Sequence, residues 1–489
     1  MEGWQMDFSQ WTKQLIGGKW REGSSEHVYT DRNPYTDEPL LTIRMATRAD
    51  LDEAYRAAQA AQREWQRVSP FERSAMMNRA AEVFARHRDD IIETLQVETG
   101  STYVKACIEF DSIIGMMREA ATYPLRMQGQ IVPSIIPGKE NRIFRVPVGV
   151  VGVIGPFNFP MFLAMRAVAP ALACGNGVVV KPASDTLVAG GLLIGKLFEE
   201  AGFPPGLLNV VVGTGSEIGD AFVEHPIPGV IAFTGSTEVG RRVAEISGRM
   251  LKRVALELGG NNVLIVLEDA DVDKAVRSAT FGKFLHQGQI CMALNRIIVH
   301  RKVYEPFIEK FRNAASRLKV GDPREKDTVV GPLINRKQVD RILDLIHRSV
   351  EQGARVVLEG KVEGNLMSPY ILADVRNDMP IAREEIFGPV AAIIPVESEE
   401  EAIRVANDTE YGLSGAVHAG SLEHGVEVAM QIHSGMVHVN DQSVNDEPLI
   451  AFGGEKASGI GRYGGEWALH EFTTLKWISV QLKDREYPF

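Results

Sequence analysis

The sequence predicts an α/β protein built from two stacked units. Three observations lead there. From Val148 onward, short apolar runs such as VGVVGVI, GVVVKPA and GVIAFTG alternate with helix-like stretches. A second series of the same kind, NVLIVLED, RIIVH and PVAAIIPV, starts near Asn262. The chain has 489 residues, which is long for a single hydrophobic core. Continuous apolar strands separated by helices indicate parallel sheets covered on both faces. In such sheets ligands sit at the carboxyl ends of the strands.

The elements follow in order. RADLDEAYRAAQAAQREW and FERSAMMNRAAEVFARHRDDIIETLQVETG carry apolar residues at three-to-four spacing and read as helices, the second capped by Gly100. MQGQIVPSIIPGKENRIFRVPVG reads as two extended runs about a Pro-Gly turn, a hairpin with few partners of its own that would reach a neighbouring subunit. The first α/β series then runs to KRVALELGG, and the hinge between the units is expected at Glu257 to Asn262. DVDKAVRSATFGKFL, YEPFIEKFRNAASRLKVGD and SEEEAIRVAND supply helices of the second series. A last extended run, TTLKWISVQL, is expected to pair with the hairpin.

Composition narrows the function. A net charge of -11 with no basic cluster argues against nucleic acid as a partner. The longest apolar stretches are too short and too rich in Gly and Pro to cross a bilayer, so no membrane partner is expected. The opening MEGWQMDFSQWTKQ lacks the apolar run of a secretion signal, and the cytoplasm is the expected compartment. Cys107, Cys174 and Cys291 are far apart, with no metal-ligand spacing, so neither a disulfide framework nor a metal site is expected.

Cys291, in FLHQGQICMALNR, is the first candidate for chemistry. Between Ile290 and Met292 it reads equally as a small buried hydrophobe. Gly288 permits a turn that would project the thiol into a cleft. A free thiol has a pKa of about 8.5, so a nucleophile here needs an activating group. His286, five residues before it, would make a Cys-His hydrolase, but catalytic pairs meet in space rather than along the chain. Glu257 ends an apolar strand, where poor solvation raises a carboxyl pKa toward that of a general base. The competing reading is a salt-bridged boundary residue. In FTGSTEVG, Gly235 and Gly240 stand between a strand and a helix whose first NH groups would hold a pyrophosphate. That reading makes Glu257, about 20 residues on, a ribose ligand instead of a base. Asn158 in GPFNFP would donate to an oxyanion or serve only a turn. Lys181 in VVVKPAS and Glu385 in EEIFGP would reach ribose hydroxyls or be solvated charges.

Seven motifs in this order, GPFNFP, VVVKPAS, FTGSTEVG, LELGGNN, GQICM, EEIFGP and FGGEKASGIGR, resemble the aldehyde dehydrogenase superfamily across nearly the whole chain. The resemblance implies a variant Rossmann cofactor domain, an α/β catalytic domain and a small β oligomerisation element. These would take residues 1–124 and 144–256, residues 257–471, and residues 125–143 with 472–489. It implies Cys291 as nucleophile, Glu257 as general base, and Asn158 with the Cys291 backbone NH as oxyanion hole. Lys181, Ser184, Gly235, Ser236, Gly240, Glu385 and Phe387 would hold the dinucleotide, and no metal is implied. An aldehyde would pass through a Cys291 thiohemiacetal and thioester to the acid.

Departures from the family sharpen the picture. His286 stands where members often have Asn. NAD-preferring members often carry Glu at the position of Ser184, so NAD or NADP is expected here. The run Arg462–Gly465 and HVNDQSVNDEPLIAFGG are similar to the benzaldehyde, vanillin and salicylaldehyde dehydrogenase group. Phe157, Phe159 and Phe452 would line a pocket for a flat aromatic aldehyde. Aliphatic aldehydes or semialdehydes are the alternative, with Arg166 as a carboxylate clamp. A catalytically silent protein on the same fold is the reading from another class. The family implies a homodimer or homotetramer.

Overall fold

The computed structural model describes residues 7–489; the first six, part of the opening stretch read above, lie outside the described residues. The first long helix, Arg48–Trp65, starts at a capping box in which Thr47 and Asp50 satisfy each other's backbone NH groups. Its apolar face, Leu51, Ala54, Tyr55, Ala58 and Trp65, is buried. The next periodic run is two helices, not one: Pro70–Arg86 and Arg88–Thr99 break at His87, whose φ of -93° and ψ of 25° leave the helical region. Gly100 ends the second of them at φ 68°, the left-handed cap a glycine adopts without strain.

Five parallel strands form the centre of the first sheet. Val150–Ile154 is the earliest in the chain and lies in the middle. Gly177–Lys181 and Leu208–Val210 follow on one side, and Val230–Thr234 and Arg253–Glu257 on the other. The order therefore reverses between Val150–Ile154 and Val230–Thr234, which opens a crevice at their carboxyl ends. Antiparallel edge strands close both sides. One is Gln14–Ile16 with Lys19–Arg21, and the other is Gly459–Ile460, paired to Arg253–Glu257 with Glu257 opposite Gly459. That last strand comes from the segment expected to belong wholly to the second unit, so residues 257–471 do not stay on one side.

The second sheet runs Arg355–Leu358, Tyr370–Ala373, Val390–Val396, Leu294–His300, Asn262–Val266, Gly415–His418 and His438–Val439, parallel except for the first. Residues 258–261 join the two sheets. The segments holding Cys291, Glu385 and Phe387 lead into Leu294–His300 and Val390–Val396. The second sheet thus turns its amino-terminal edge toward the carboxyl-terminal edge of the first. Expecting ligands at carboxyl ends describes only half of this cleft.

In the third sheet Thr473–Gln481 pairs antiparallel with all of Lys139–Pro147, which also pairs with Gln130–Pro133. The hairpin arm thus continues four residues past 143. Among the described residues no helix is long and apolar enough to cross a membrane.

Candidate active site

The helix Val272–Phe284 stops seven residues before Cys291. His286, Gln287 and Gly288 then take φ values of 50°, 57° and 72°. Left-handed backbone at two consecutive non-glycine residues is rare and persists only where surroundings hold it. Here Gln287 Nε2 donates to the carbonyl oxygens of Pro332 and Gly100, and Gln289 Oε1 accepts from the Ile334 NH. A Cβ on Gly288 would sit 2.2 Å from the Gly388 oxygen, so space as well as φ requires glycine there. Beyond the turn, Asn262 Nδ2 donates to the carbonyls of Cys291 and Ala293 at 2.7 and 2.8 Å, and Ser443 Oγ donates to that of Met292.

Asn158 comes to this turn from the first sheet, four residues past the strand Val150–Ile154. It is buried, and its Nδ2 donates to the Gln289 carbonyl at 3.0 Å. An amide nitrogen carries two hydrogens, so one is left for another acceptor. His286 is buried, its ring meets Phe159 edge-on at 5.7 Å, and burial drives its pKa well below the ordinary value. A neutral, enclosed imidazole directed at Phe159 does not support a Cys-His pair.

Glu257 is the last residue of its strand and is 2% exposed, and neither carboxylate oxygen has a hydrogen-bond partner. Burial pushes its pKa up to about 8, opposed by the guanidinium groups of Arg166 and Arg462. The Cys291 thiol is pushed up to about 12, first by burial and then by the Glu257 charge, with Arg166 opposing. The Glu257 charge therefore reaches the thiol through a poorly solvated space. Near neutral pH both rest mainly uncharged, and a proton must leave Glu257 before it can act as a base.

A cavity of about 140 Å³ opens on Cys291 and Asn158. Phe159, Phe162 and Phe452 form much of its wall, and Arg166 reaches it from the helix Pro160–Ala173. Arg166 does not stand free as a clamp. It is ion-paired to Asp446, and its guanidinium lies 3.9 Å from the Phe452 ring centroid. Phe157, expected among the substrate-facing aromatics, does not line this cavity. Its ring meets Phe387 edge-on at 5.7 Å, away from the neighbouring Asn158 and Phe159, which both line the cavity. Asp446 and Asn262 escaped the sequence reading. LELGGNN contains Asn262, but only the folded chain puts it against Cys291.

The remaining candidates gather around the crevice of the first sheet. Lys181 ends its strand buried, and desolvation lowers its pKa to about 8. Ser184 lies in the turn just after it, partly exposed. Ser236 caps the helix Thr237–Arg249 by accepting from the Val239 NH. Gly235 continues the strand line, its NH donating to the Glu257 carbonyl. Gly240 serves helix packing, since a Cβ there would meet Leu258 at 2.3 Å. Glu385 lies under the turn that follows Glu257, its Oε1 accepting from the Gly260 NH at 2.9 Å, and burial raises its pKa to about 7. Phe387 holds a left-handed φ of 51°. Asn295 locks these loops together by donating to Asn261 Oδ1 and the Glu384 carbonyl and accepting from the Ile386 NH. A strand-order reversal, a capped helix start beside it and a buried, unengaged ammonium fit a dinucleotide. Among the described residues no cluster of three or more His, Cys, Asp or Glu is placed to hold a metal ion.

The description "Aldehyde dehydrogenase family" matches residues 20–478. A benzaldehyde dehydrogenase of Bacillus subtilis is 52% identical over 482 residues, 99% of each chain. A vanillin dehydrogenase of Corynebacterium glutamicum is 50% identical over 96% of this chain and 98% of its own. Among solved structures, a salicylaldehyde dehydrogenase of Pseudomonas putida G7, complexed with salicylaldehyde, superposes with a TM-score of 0.94 at 36% identity, covering 98% of this chain and 99% of that one.

Proposed function

The chain belongs to the aldehyde dehydrogenase family, and we propose that it oxidises small aromatic aldehydes of the benzaldehyde and vanillin kind to carboxylic acids. The observation that carries the substrate class is the cavity over Cys291, about 140 Å³ and walled by Phe159, Phe162 and Phe452. An apolar cavity of roughly 150 Å³ is enough to take up benzene. Ring walls suit a flat ring by edge and face contacts. Arg166, neutralised by Asp446, leaves no free cation to receive a second carboxylate, which counts against semialdehydes. The names of the relatives support the same class.

In this reading Glu257 relays the Cys291 proton through a water, and the thiolate sulfur adds to the aldehyde carbon. The new oxyanion accepts hydrogen bonds from the free Nδ2 hydrogen of Asn158 and from the Cys291 backbone NH. Such a donor contributes about 3 kcal/mol to the transition state. A bound nicotinamide would supply the acceptor for the hydride that this carbon must release. Cys291 is left as a thioester. Glu257, having passed the first proton on to solvent, takes a proton from water, the hydroxyl adds to the thioester carbon, and the acid leaves as the carbon–sulfur bond breaks and Cys291 regains a proton from Glu257. Lys181 and Glu385 would hold a ribose, and Ser236 with its helix start the pyrophosphate. Ser184 brings no carboxylate that would repel a 2′-phosphate, so the cofactor is NAD or NADP.

The exposed apolar residues of the third sheet, among them Ile131, Phe144, Leu475 and Trp477, support a homodimer or homotetramer joined there. Three unpaired cysteines suit a reducing compartment, the cytoplasm. The test is a steady-state panel of benzaldehyde, vanillin, hexanal and succinic semialdehyde with both dinucleotides. Aromatic substrates should give the highest kcat/KM, and Cys291→Ala should abolish turnover. Preference for succinic semialdehyde would overturn the substrate class, and full aldehyde oxidation by Cys291→Ala the mechanism.

A further inference from the structure

A buried ion pair lies behind the loop that carries Asn158. Lys105 and Glu109 stand one turn apart on the helix Tyr103–Ala120, and both side chains are fully enclosed. The ammonium uses its three hydrogens on Glu109 Oε2 at 2.5 Å, Asn158 O at 2.7 Å and Ser101 Oγ at 2.9 Å. It also stands 4.1 Å from the centroid of the Phe159 ring. Glu109 Oε1 accepts from the NH groups of Met161 and Phe162, both at 3.1 Å, at the start of the helix Pro160–Ala173. The His286 ring also meets Phe159 edge-on, at 5.7 Å. One pair therefore engages the carbonyl of residue 158, the ring of 159 and the NH groups of 161 and 162.

A pair of apolar side chains would fill the same volume at lower desolvation cost. It would not engage both a carbonyl and two NH groups of one loop. The ammonium has no hydrogen left for a ligand, so a role in binding substrate or cofactor is not available to it. What remains is control of where Asn158 points.

We propose that Lys105 is a positioning residue for the oxyanion donor, fixing Asn158 by holding its main-chain carbonyl and by standing over the ring of the next residue, Phe159. The proposal rests on the oxyanion reading of Asn158 given above. Misplacing a reacting group by about 1 Å can cost on the order of 100-fold in rate. Lys105 therefore acts on turnover and not on the affinity for the dinucleotide.

The experiment is a double-mutant cycle of Lys105→Met and Asn158→Ala, measured as kcat and dinucleotide KM with benzaldehyde. Lys105→Met alone should lower kcat on the order of tenfold or more with the dinucleotide KM unchanged. In the Asn158→Ala background the same change should cost less than about twofold, because residues that act as a unit are non-additive. An equal loss in both backgrounds, or a wild-type kcat in Lys105→Met, overturns the proposal. If Lys105→Met does not fold because Glu109 is left unpaired, the pair Lys105→Met with Glu109→Gln removes both charges and takes its place in the same cycle. Wild-type activity in Asn158→Ala alone would overturn the oxyanion reading itself, a result distinct from additivity, which removes only the role of Lys105.

Discussion

Asn262 holds the backbone of Cys291: its Nδ2 donates to the Cys291 carbonyl at 2.7 Å while its Oδ1 accepts from the Ser414 NH at 2.9 Å. One amide side chain thereby ties the nucleophile's peptide to the strand Asn262–Val266 and to the segment before Gly415–His418. The neighbouring Gly260 leaves room for the arrangement, since a Cβ there would meet the Cys291 oxygen at 2.4 Å.

Asn262→Ala removes that tie and leaves buried carbonyl and NH groups unpaired. Each unpaired buried group costs about 1–3 kcal/mol. Turnover should fall on the order of tenfold or more through misplacement of the thiol. Titrating the reactive thiol alongside kcat separates lost protein from slowed chemistry. A wild-type kcat per titrated thiol would show that Asn262 has no part in placing Cys291.

Glu257 must lose its proton to act as a base, and its pKa is raised to about 8. At pH 7 roughly a tenth of it is deprotonated. Deacylation should therefore quicken about tenfold between pH 7 and pH 9, and single-turnover decay of the thioester reads it directly. Glu257→Gln should deacylate slowly with no such rise. A flat profile in the wild-type protein is incompatible with the assignment.

The same shift acts on stability with the opposite sense. The folded pKa lies above the unfolded value of about 4.3, so the folded state binds the extra proton between those limits. Stability from this group is therefore present below about pH 4 and lost progressively as pH rises to about 8. Glu257→Gln, which carries no charge to desolvate, should gain on the wild type by a few kcal/mol above pH 8 and converge with it at low pH. Denaturant unfolding at pH 5 and pH 9 provides the comparison.

Gly288 and Gly364 both have left-handed φ, 72° and 59°, but only Gly288 is crowded. Gly364→Ala should cost about 1–2 kcal/mol, the strain of the backbone alone. Gly288→Ala adds a clash with Gly388 and should cost several kcal/mol with loss of activity. Equal melting temperatures for the two variants would mean that the turn before Cys291 relaxes freely.

Much of this was readable in the sequence where the signal is local. A carboxylate ending an apolar strand before Gly259-Gly260, and a thiol after a Gly-Gln turn, are patterns within a few residues. Asn158 and Glu385 could be placed beside them because their motifs recur in family order. What stayed hidden depends on approach across the fold. Lys105 and Glu109 look like an ordinary helical pair of charges until the loop at 158–162 is laid against them. Arg166 reads as a free clamp until Asp446, 280 positions away, pairs with it. Phe157 and Phe159 are indistinguishable as letters, and only the loop's path sends one to Phe387 and the other to the cavity. The opposed edges of the two sheets were also unreadable, because strand order is set by tertiary pairing.

The pairing of Glu257 with Gly459 has a consequence for biosynthesis. The strand that ends in the proposed base stays an open edge until residues 459 and 460 lie beside it. On the ribosome, a chain that has already made its thiol, its amide donor and its acidic group is still unfinished at the strand that bears Glu257. Working enzyme would then have to wait for residues 459 and 460, and nonsense truncations before Gly459 should leave no active fragment.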